Sequence, residues 1–567
     1  MSRVRVLTAS DRALLVETAD LDEALRLHLA LADVAGIVER VPAASSVLVR
    51  FDPRVTSAEA LAQAIAELRL DAAQHAPTAE ITIPVRYDGA DLNEVAELLA
   101  VSPEEVVRRH LAASWRVAFA GFAPGFGYLI GNDPLFDVPR RATPRTRVPA
   151  GAVGLAGPFT GVYPRESPGG WQLIGTTDAV MWDTHRDPPA LLVPGAVVRF
   201  ERAGRDVVAA SLPNASREQN GRLEAVRRGG GSAVDTAAAG SGEDAVCGAL
   251  TPGSTVAVGG TGTAGPDATS GLSCAATATI EVTRPALQLL VQDLGRPGHA
   301  QLGVSASGVA DRIAMRDANR AVGNEPHAAV LECVGGVGLG FTGNGVAAIT
   351  GAIGDAVIVS AERIERSIPM GEPFATFDGD ELDLASPTSG LRYVIAVRGG
   401  IRVAEELGSR SSDTLSGLGP APLTLGSVVE VGEDAPQLID PYPVQRSLPA
   451  SGDLVELDIT LGPRDDWFTP AALATLTEQE WLVTPQTDRV GMRLRGEVPL
   501  QRTVHEELPS EGAVTGAIQV PADGQPVLFL PDHPLTGGYP IIGALTDAAL
   551  DLAAQLPPGV RIRFRVR

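Results

Sequence analysis

The chain has 567 residues, a formal net charge of −23, 44% hydrophobic residues and only 4% aromatic residues. This length exceeds what one hydrophobic core supports, so two to four domains are expected. The negative charge argues against a nucleic-acid surface and an anionic-membrane surface, since both require clustered positive charge. The 62 glycines and 43 prolines favour short strands and many turns over helical bundles.

The cysteines and the N-terminal segment narrow the class of protein further. Cys247, Cys274 and Cys333 form no CxxC pair, which argues against a disulfide framework and a thiolate zinc site. No other metal site is predicted. The N-terminal segment lacks an apolar signal core, and a cytoplasmic protein is expected.

The chain contains no lysine, and all 46 of its basic residues are arginine. A phosphate loop of the Walker A type, Schiff-base chemistry and attachment of biotin to this chain all require lysine and are excluded. Anions must therefore be bound by arginine, by backbone N–H groups or by helix N-termini.

Residues 1–78 are predicted to form a small α/β domain. A strand is expected at Ala13–Glu17, and apolar residues at helical spacing predict a helix over Leu21–Ala32. Thr56 and Glu59 match a capping box and predict a second helix with Thr56 at its N-cap.

Residues 79–213 are predicted to form a β-barrel domain. Ser102-Pro103 marks a helix start with proline at the first helical position. From Phe119 to Thr177 the sequence is dense in glycine and proline, with aromatic residues between short apolar pieces, and such density specifies particular turns. The Gly169-Gly170-Trp171 corner could offer backbone N–H groups to an anion and an indole ring to a planar ligand.

Residues 214–278 are rich in small and polar residues without periodicity, which predicts a linker. Two Gly-x-Gly-x-x-Gly motifs begin at Gly260, within this segment, and at Gly338, beyond it. A dinucleotide-binding fingerprint requires a helix immediately afterwards, and the sequence predicts none at either place. Neither motif is interpreted as a nucleotide site.

The second half is predicted to form two β-rich lobes, residues 279–451 and 452–567. Many short alternating segments with glycine-rich turns predict a mostly antiparallel barrel or sandwich. One amphipathic helix is expected over Asp311–Val322, with Ile313 among its inward residues and Arg312 among its outward residues.

A similar pair of short motifs occurs in each half of the chain. Gly151-Ala152-Val153 precedes Gly169-Gly170-Trp171 in the first half, and Gly512-Ala513-Val514 precedes Gly537-Gly538-Tyr539 in the second. Chance and a genuine repeat are both open as explanations. A genuine repeat would set two Gly-Gly-aromatic corners facing each other across a shared cleft.

Long motifs in the first half resemble the kinase-inhibitor and allophanate-hydrolase-subunit-1 family, which includes the B component of bacterial 5-oxoprolinase. They are GFAPGFGYL (Gly121–Leu129), PRTRVPAGAVGLAG (Pro144–Gly157) and YPRESPGGWQLIG (Tyr163–Gly175). Between the last two, Phe159 stands where the family usually has Gln, and just after them Thr176 stands where it usually has Arg. These departures leave the substrate open between a lactam and a ureide.

Motifs in the second half resemble the partner family, subunit 2 or the C component. They are QDLGRPGHAQLGV (Gln292–Val304), LGSRSSD (Leu407–Asp413), TDRVGMRL (Thr487–Leu494), SEGAVTGAIQVP (Ser510–Pro521) and PDHPLTGGYP (Pro531–Pro540). The chain is therefore interpreted as a fusion of the two components. The resemblance implies a mainly β protein with an α+β N-terminal unit and cyclophilin-like β-barrels in both halves.

The resemblance also implies a component of an ATP-dependent cyclic-amide hydrolase, which converts 5-oxoproline, ATP and water to glutamate, ADP and phosphate. A separate A component would be its partner, ATP with Mg²⁺ its cofactor, and no biotin would be attached to this chain. The alternatives are an allophanate or ureide hydrolase, a carboxyltransferase-like module of urea metabolism, and a regulator of a histidine kinase. Whether the chain forms a homo-oligomer is open.

Polar residues within the shared motifs supply the candidate site. The candidate catalytic residues, chosen because histidine and carboxylate groups transfer protons, are His299, Glu332, Asp293, Glu511 and His533. The candidates for binding substrate or nucleotide combine aromatic rings, glycine corners, guanidinium groups and amides, and are Phe122, Pro124, Tyr128, Arg141, Arg145, Ser167, Gly169, Gly170, Trp171, Arg296, Asn324, Arg489, Gln519, Gly537, Gly538 and Tyr539. For Asp293 a turn-bracing role is open, and for Glu332 a structural ion pair is open.

Overall fold

The computed structural model describes residues 5–68, 70, 79–141, 143, 145–203, 278–442 and 446–567. The linker predicted at 214–278 lies outside the described residues except for its last position, and so does the motif at Gly260. The described chain is mainly β, with a closed or nearly closed barrel in each half, as predicted. No helix in these ranges is long and apolar enough to cross a membrane.

The N-terminal unit is a four-stranded antiparallel sheet in the order β1-β2-β4-β3, packed against two helices. Side chains alternate along β2, so that Leu14 and Val16 pack against the helices while Ala13 and Leu15 pack against the C-terminal barrel. Its elements are β1 (Arg5–Ser10), β2 (Ala13–Glu17), α1 (Leu21–Ala30), β3 (Ile37–Pro42), β4 (Ser46–Phe51) and α2 (Ala58–Glu67).

The barrel of the first half has seven strands in the order β12-β9-β10-β7-β6-β13-β5. A bridge between Arg86, directly after β5, and Thr176 in β12 joins the two edges. Its elements are β5 (Glu80–Val85), α3 (Leu92–Leu98), α4 (Pro103–Ala112), β6 (Trp115–Ala120), β7 (Gly127–Gly131), β8 (Arg145–Val148), β9 (Ala152–Ala156), β10 (Phe159–Val162), β11 (Ser167–Gly169), β12 (Gln172–Thr176) and β13 (Val197–Arg202). Strands β8 and β11 form a separate ribbon that carries the Gly-Gly-Trp corner.

The second half begins with two sheets around one apolar core, and α5 packs on the sheet of five. The sheets run β20-β19-β22-β17-β14-β25-β24 and β15-β16-β23-β18-β21. The elements are β14 (Thr279–Arg284), β15 (Gln288–Gln292), α5 (Arg312–Val322), β16 (Val330–Val334), β17 (Val337–Thr342), β18 (Gly345–Ile353), β19 (Ala356–Val359), β20 (Glu365–Ser367), β21 (Pro373–Thr376), β22 (Glu381–Leu384), β23 (Ser389–Val397), β24 (Ile401–Arg402) and β25 (Val428–Val431). The motif at Gly338 lies in β17 and is followed by another strand, which agrees with its dismissal as a nucleotide site.

The C-terminal lobe is a closed barrel in the order β26-β33-β30-β31-β28-β27-β34. Its elements are β26 (Leu454–Leu461), α6 (Pro470–Glu478), β27 (Trp481–Thr487), β28 (Gly491–Arg495), β29 (Glu511–Gly512), β30 (Ala517–Gln519), β31 (Val527–Phe529), β32 (Thr536–Gly537), β33 (Ile541–Leu545), α7 (Asp547–Ala553) and β34 (Arg561–Val566). Strands β29 and β32 form a ribbon that carries the Gly-Gly-Tyr corner.

The two barrels repeat one local design. In each, a helix with proline in its first turn leads to a tryptophan that opens the next strand. The indole N–H of Trp115 donates to the carbonyl of His110 at 3.0 Å, and that of Trp481 donates to Leu476 at 2.9 Å. Each barrel also carries a two-stranded ribbon at its Gly-Gly corner. These shared features favour a genuine repeat over chance as the source of the similar motifs.

Two local predictions need correction, and one is confirmed. Ser57, not Thr56, caps α2, because its hydroxyl is the group that accepts from the N–H of Ala60. The helical pattern places Arg312 outward, but it is half-buried and forms an ion pair with Asp551 of α7, which packs beside the start of α5. Ser102 does cap α4, as predicted.

Candidate functional site

The two Gly-Gly-aromatic corners face one cleft of about 570 Å³ between the first half and the C-terminal barrel. Ten of the predicted binding residues line it, and they come from both halves. These ten are Phe122, Tyr128, Arg141, Gly169, Gly170, Trp171, Gln519, Gly537, Gly538 and Tyr539. The predicted juxtaposition of the corners therefore agrees with the structure.

Aromatic rings from the first half form one wall of the cleft. The ring of Phe126 packs edge-to-face on Trp171 and Phe122, with centroids 5.2 and 5.4 Å apart. Tyr128 packs on Trp171 at 5.4 Å. Phe122 has a φ of +66°, a left-handed conformation that is strained for a residue with a side chain and that recurs at functional sites. The wall is suited to the face of a planar ligand.

Guanidinium groups supply the positive charge of the cleft. Arg140 bonds Glu507 of the opposite half at 3.0 Å, and Arg141 bonds the buried Asp91 at 2.9 Å. Arg502 donates to a backbone carbonyl and lies 5.9 Å from the centre of the Tyr539 ring, and burial lowers its pKa. Guanidinium groups bind carboxylates and phosphates through two parallel hydrogen bonds. In a chain without lysine, arginine is the cationic side chain available for this.

The absence of side chains at three glycines lets the two halves approach each other closely. A Cβ added to Gly121 would lie 2.5 Å from the Thr536 hydroxyl, and one added to Gly538 would lie 2.5 Å from the Arg140 guanidinium. One added to Gly303 would lie 2.5 Å from the carbonyl oxygen of Ala123. At Gly303 the neighbour is backbone, so glycine is required there, whereas at Gly121 and Gly538 the side chains of Thr536 and Arg140 would have to move to admit a Cβ.

Several buried polar atoms in and beside the cleft make no hydrogen bond to the rest of the described protein. Arg141 Nε and Thr536 Oγ1 belong to residues that line the cleft. Ser167 Oγ lies on β11, in the ribbon that carries the Gly-Gly-Trp corner. Buried polar groups are nearly always paired, so unpaired ones at a cleft are candidate contacts for a ligand. Among the described residues, no cluster of histidine, cysteine and carboxylate groups is arranged to bind a metal ion.

Three further predicted residues support the cleft without lining it. Arg145 donates to Asp91 at 2.6 Å, so that this one carboxylate holds both Arg141 and Arg145. Pro124 is buried in the turn that presents Phe122, and Ser167 begins β11. These residues lie behind the cleft and support the residues that line it.

Glu332 and Arg489 lie outside the cleft, in a buried ion network between the two lobes of the second half. Arg489 bonds Glu332 through one guanidinium nitrogen and Asp532 through two, at 2.9 and 3.0 Å. Arg392 lies 3.7 Å from Glu332. Burial alone would lower the pKa of Arg489, but the two carboxylates raise it above its ordinary value. These contacts give Glu332 the partner that a buried acid requires.

Asp293 and Arg296 organise the loop that follows β24 rather than the cleft. The Asp293 carboxylate accepts from the Ser409 hydroxyl and the Arg410 N–H, both at 2.6 Å. Arg296 is buried and donates to the carbonyls of Ser411 and Glu406. These bonds correspond to the structural role, in which Asp293 stabilises a turn, that the sequence left open beside a catalytic one.

The other predicted residues outside the cleft have separate surroundings. Asn324 is buried after α5 and bonds the backbone of Val397 and Gly399, each at 2.8 Å. His299 precedes a 3₁₀ turn. Glu511 is buried against Arg464, and burial raises its pKa despite that partner.

His533 is buried and its ring stacks on Phe529, with centroids 5.6 Å apart. Burial lowers its pKa to about 4, so its ring is neutral at pH 7. It lines a separate cavity of about 240 Å³ at the junction with the N-terminal unit. The catalytic roles of His299, Glu511 and His533 stay predictions.

Several residues that line the cleft were not among the predicted site residues: Phe126, Arg140, Tyr163, Arg502, His505, Glu506, Glu507, Leu508, Ser510, Pro534 and Thr536. Among them, His505 is an exposed imidazole beside two carboxylates. The signal available was the mostly polar run from Arg502 to Glu507, which ends two residues before the motif at Ser510.

Two family models match the chain and leave its centre uncovered. The model described as "Carboxyltransferase domain, subdomain C and D" matches residues 4–192, and the model described as "Carboxyltransferase domain, subdomain A and B" matches residues 302–566. Each therefore covers one side of the cleft.

Separate bacterial proteins resemble each half. The C component of 5-oxoprolinase from Escherichia coli (strain K12) is 32% identical over 289 residues, which are 50% of this chain and 90% of that protein. The B component of 5-oxoprolinase from Escherichia coli O157:H7 is 41% identical over 179 residues, which are 31% of this chain and 82% of that protein. The crystal structure of TTHA0988 aligns with a TM-score of 0.75 and 31% identity, covering 98% of this chain and 99% of that one.

Proposed function

We propose a function for this chain on the premise that it belongs to the carboxyltransferase-domain family, in which it joins B-like and C-like halves of bacterial 5-oxoprolinase. The proposed function is that of a component of an ATP-dependent cyclic-amide hydrolase. With a separate A component, it would open a lactam such as 5-oxoproline to the amino acid and convert ATP to ADP and phosphate. The observation that carries the proposal is the cleft that neither half forms alone.

The cleft residues suit the parts of such a substrate. The rings of Trp171 and Tyr128, which meet edge-to-face, offer apolar surface against which a five-membered amide ring can pack. Arg502 offers a guanidinium group for a carboxylate or a phosphoryl group. His505, exposed at the cleft, is of the type that exchanges protons near neutral pH.

ATP has a definite chemical purpose in this reaction. An amide carbonyl is a poor electrophile, and transfer of a phosphoryl group to its oxygen makes the carbon reactive toward water. Water then adds to that carbon and the C–N bond breaks, which leaves an acyl phosphate and the free amine. A second water hydrolyses the acyl phosphate to the carboxylate and phosphate. In this chain, the arginines of the cleft would hold the negative charge that develops during the transfer.

The test is incubation of the purified full chain with ATP and 5-oxoproline, with and without a candidate A component. ADP and glutamate are expected in equal amounts when both proteins are present. ATP turnover without the A component would assign phosphorylation to this chain. The absence of glutamate with both proteins present would contradict the proposal.

Carboxyl transfer is a second candidate, favoured by the description of both family models. In that reaction a carboxyl group would move from allophanate to free biotin, releasing urea and carboxybiotin. Biotin-dependent release of urea by the full chain, in the absence of ATP, would favour this function over lactam hydrolysis.

A further inference from the structure

A second cavity of about 690 Å³ lies beside the cleft, and its lining is mostly apolar. Leu21 of the N-terminal unit, Ile130 of β7 and Phe159 of β10 contribute to its surface. The side chain of Phe159 is 8% exposed and faces neighbouring rings rather than the centre of its own barrel core. Concave apolar surfaces of this size are typical of small-molecule sites.

The cavity and the cleft share a wall. Tyr128, Arg140, Glu507 and Ser510 line both. The Arg140 guanidinium donates to the Ser510 hydroxyl at 3.3 Å, and the Tyr128 hydroxyl lies 3.5 Å from the same atom. The cleft and the second cavity therefore adjoin along these four side chains.

Aromatic rings run without interruption from the cleft into the cavity. Trp171 packs on Tyr128 with centroids 5.4 Å apart, and Tyr128 packs edge-to-face on Phe159 at 5.6 Å. The ring of Phe119 also packs edge-to-face on Phe159, with centroids 5.8 Å apart. An apolar group attached to a ring on Trp171 would meet Tyr128 and then Phe159.

The charged groups around the cavity disfavour an anionic occupant. Arg140 is engaged by Glu507 at 3.0 Å, and the Asp20 carboxylate caps α1. Asp137, at the rim, is exposed. Three carboxylates against one paired guanidinium give the rim a negative balance, so the occupant is apolar or neutral.

We propose that this second cavity is the subsite for an apolar substituent of the substrate, and that Phe159 determines specificity for it. The inference rests on the proposed function, since it takes the cleft as the lactam site. The preferred substrate is then a lactam whose ring carries a phenyl-sized or branched apolar group, rather than unsubstituted 5-oxoproline.

The test compares two probes by calorimetry on the full chain: 5-oxoproline, and 5-oxoproline with a phenyl group on ring carbon C4. The phenyl probe is expected to bind about tenfold or more tightly, since even one methylene in an apolar pocket changes affinity by about tenfold or more. Phe159→Gln is expected to abolish that preference while leaving the affinity for 5-oxoproline within about threefold. Phe159→Leu, which stays apolar, is expected to keep the preference.

The outcomes separate the two proposals. If 5-oxoproline binds as tightly as the phenyl probe, or Phe159→Gln leaves the preference unchanged in a folded protein, the inference is overturned and the cleft remains a lactam site. If neither probe binds the wild-type chain, the lactam site itself is overturned, and the inference with it. Thermal unfolding of both variants verifies that they fold.

Discussion

Replacing Arg489 with methionine tests whether this residue is structural, as its contacts indicate, or a ligand-binding group, as the sequence predicts. Its guanidinium is completely buried and bonds Glu332, Asp532 and the carbonyl of Gly308. Methionine fills much of the same space without charge. The substitution therefore leaves two buried carboxylates without their shared counter-charge.

The expected cost follows from the bonds that remain. Asp532 keeps the hydroxyls of Ser307 and Thr414 and the Thr414 N–H, at 2.6 to 2.9 Å. Glu332 keeps the N–H of Ala310 at 2.8 Å and the guanidinium of Arg392 at 3.7 Å. Removing one partner of a buried ion pair costs about 3–5 kcal/mol, and the surviving donors keep the loss within that range rather than doubling it.

Urea unfolding, followed by far-UV circular dichroism, measures the change in free energy. Arg561→Met in the same barrel is the matched control, because Arg561 pairs with Glu480 at 2.8 Å on an exposed surface and should lose under about 1 kcal/mol. Adding Asp532→Asn to Arg489→Met removes the carboxylate whose ion pair the first substitution abolishes and should recover part of the stability.

One result would refute the structural role of Arg489. If Arg489→Met unfolds with the same free energy as Arg561→Met but no longer binds 5-oxoproline, the residue is a ligand-binding group. In that case the cleft is not the whole substrate site.

Three further predictions concern pH and the cleft. Burial lowers the pKa of His533 to about 4. Because the unfolded chain binds a proton at this histidine near pH 6.5 and the folded chain does not, the free energy of unfolding falls as the pH drops from about 6.5 toward 4. His533→Gln should reduce the acid-induced loss between pH 7 and pH 4.5 by about 2–3 kcal/mol in urea unfolding, and an unchanged pH dependence would contradict this. In Gly121→Ala the added methyl would lie 2.5 Å from the Thr536 hydroxyl, so 5-oxoproline binding measured by calorimetry should weaken about tenfold or more. Gly340→Ala, in β17 and distant from the cleft, is the control and should not weaken it. Trp171→Ala should weaken the same binding about tenfold with the fold intact by circular dichroism, and an unchanged affinity would remove the indole from the site.

The local features of the fold are predictable where one short segment decides them. Ser102-Pro103 specifies a helix start because the serine hydroxyl and the proline φ act within one turn. The Gly-Gly corners are visible for the same reason, since only glycine tolerates the close approach of Tyr163 to Gly169. At Thr56 and Ser57 two adjacent residues can both cap, and the sequence pattern alone indicates the wrong one.

The site is predictable only in part. The sequence identifies three rings of the aromatic wall, Phe122, Tyr128 and Trp171. It does not identify Arg140, whose bond to Ser510 joins residues 370 positions apart. Glu332 is recognisable as an acid that needs a partner, whereas Arg489, 157 positions away, is assigned to a different role. Pairings of this kind depend on how two lobes pack, and no periodicity along the chain records them.

The distribution of the lining residues over two barrels explains why both halves are needed. The two barrels present the same corner. The first adds the rings of Phe126 and Trp171 and the guanidinium of Arg141, and the second adds Arg502 and His505. Either barrel alone would hold half of a planar, charged substrate. Joining both barrels in one chain makes their association intramolecular, so the complete cleft forms at any protein concentration rather than only where separate proteins meet.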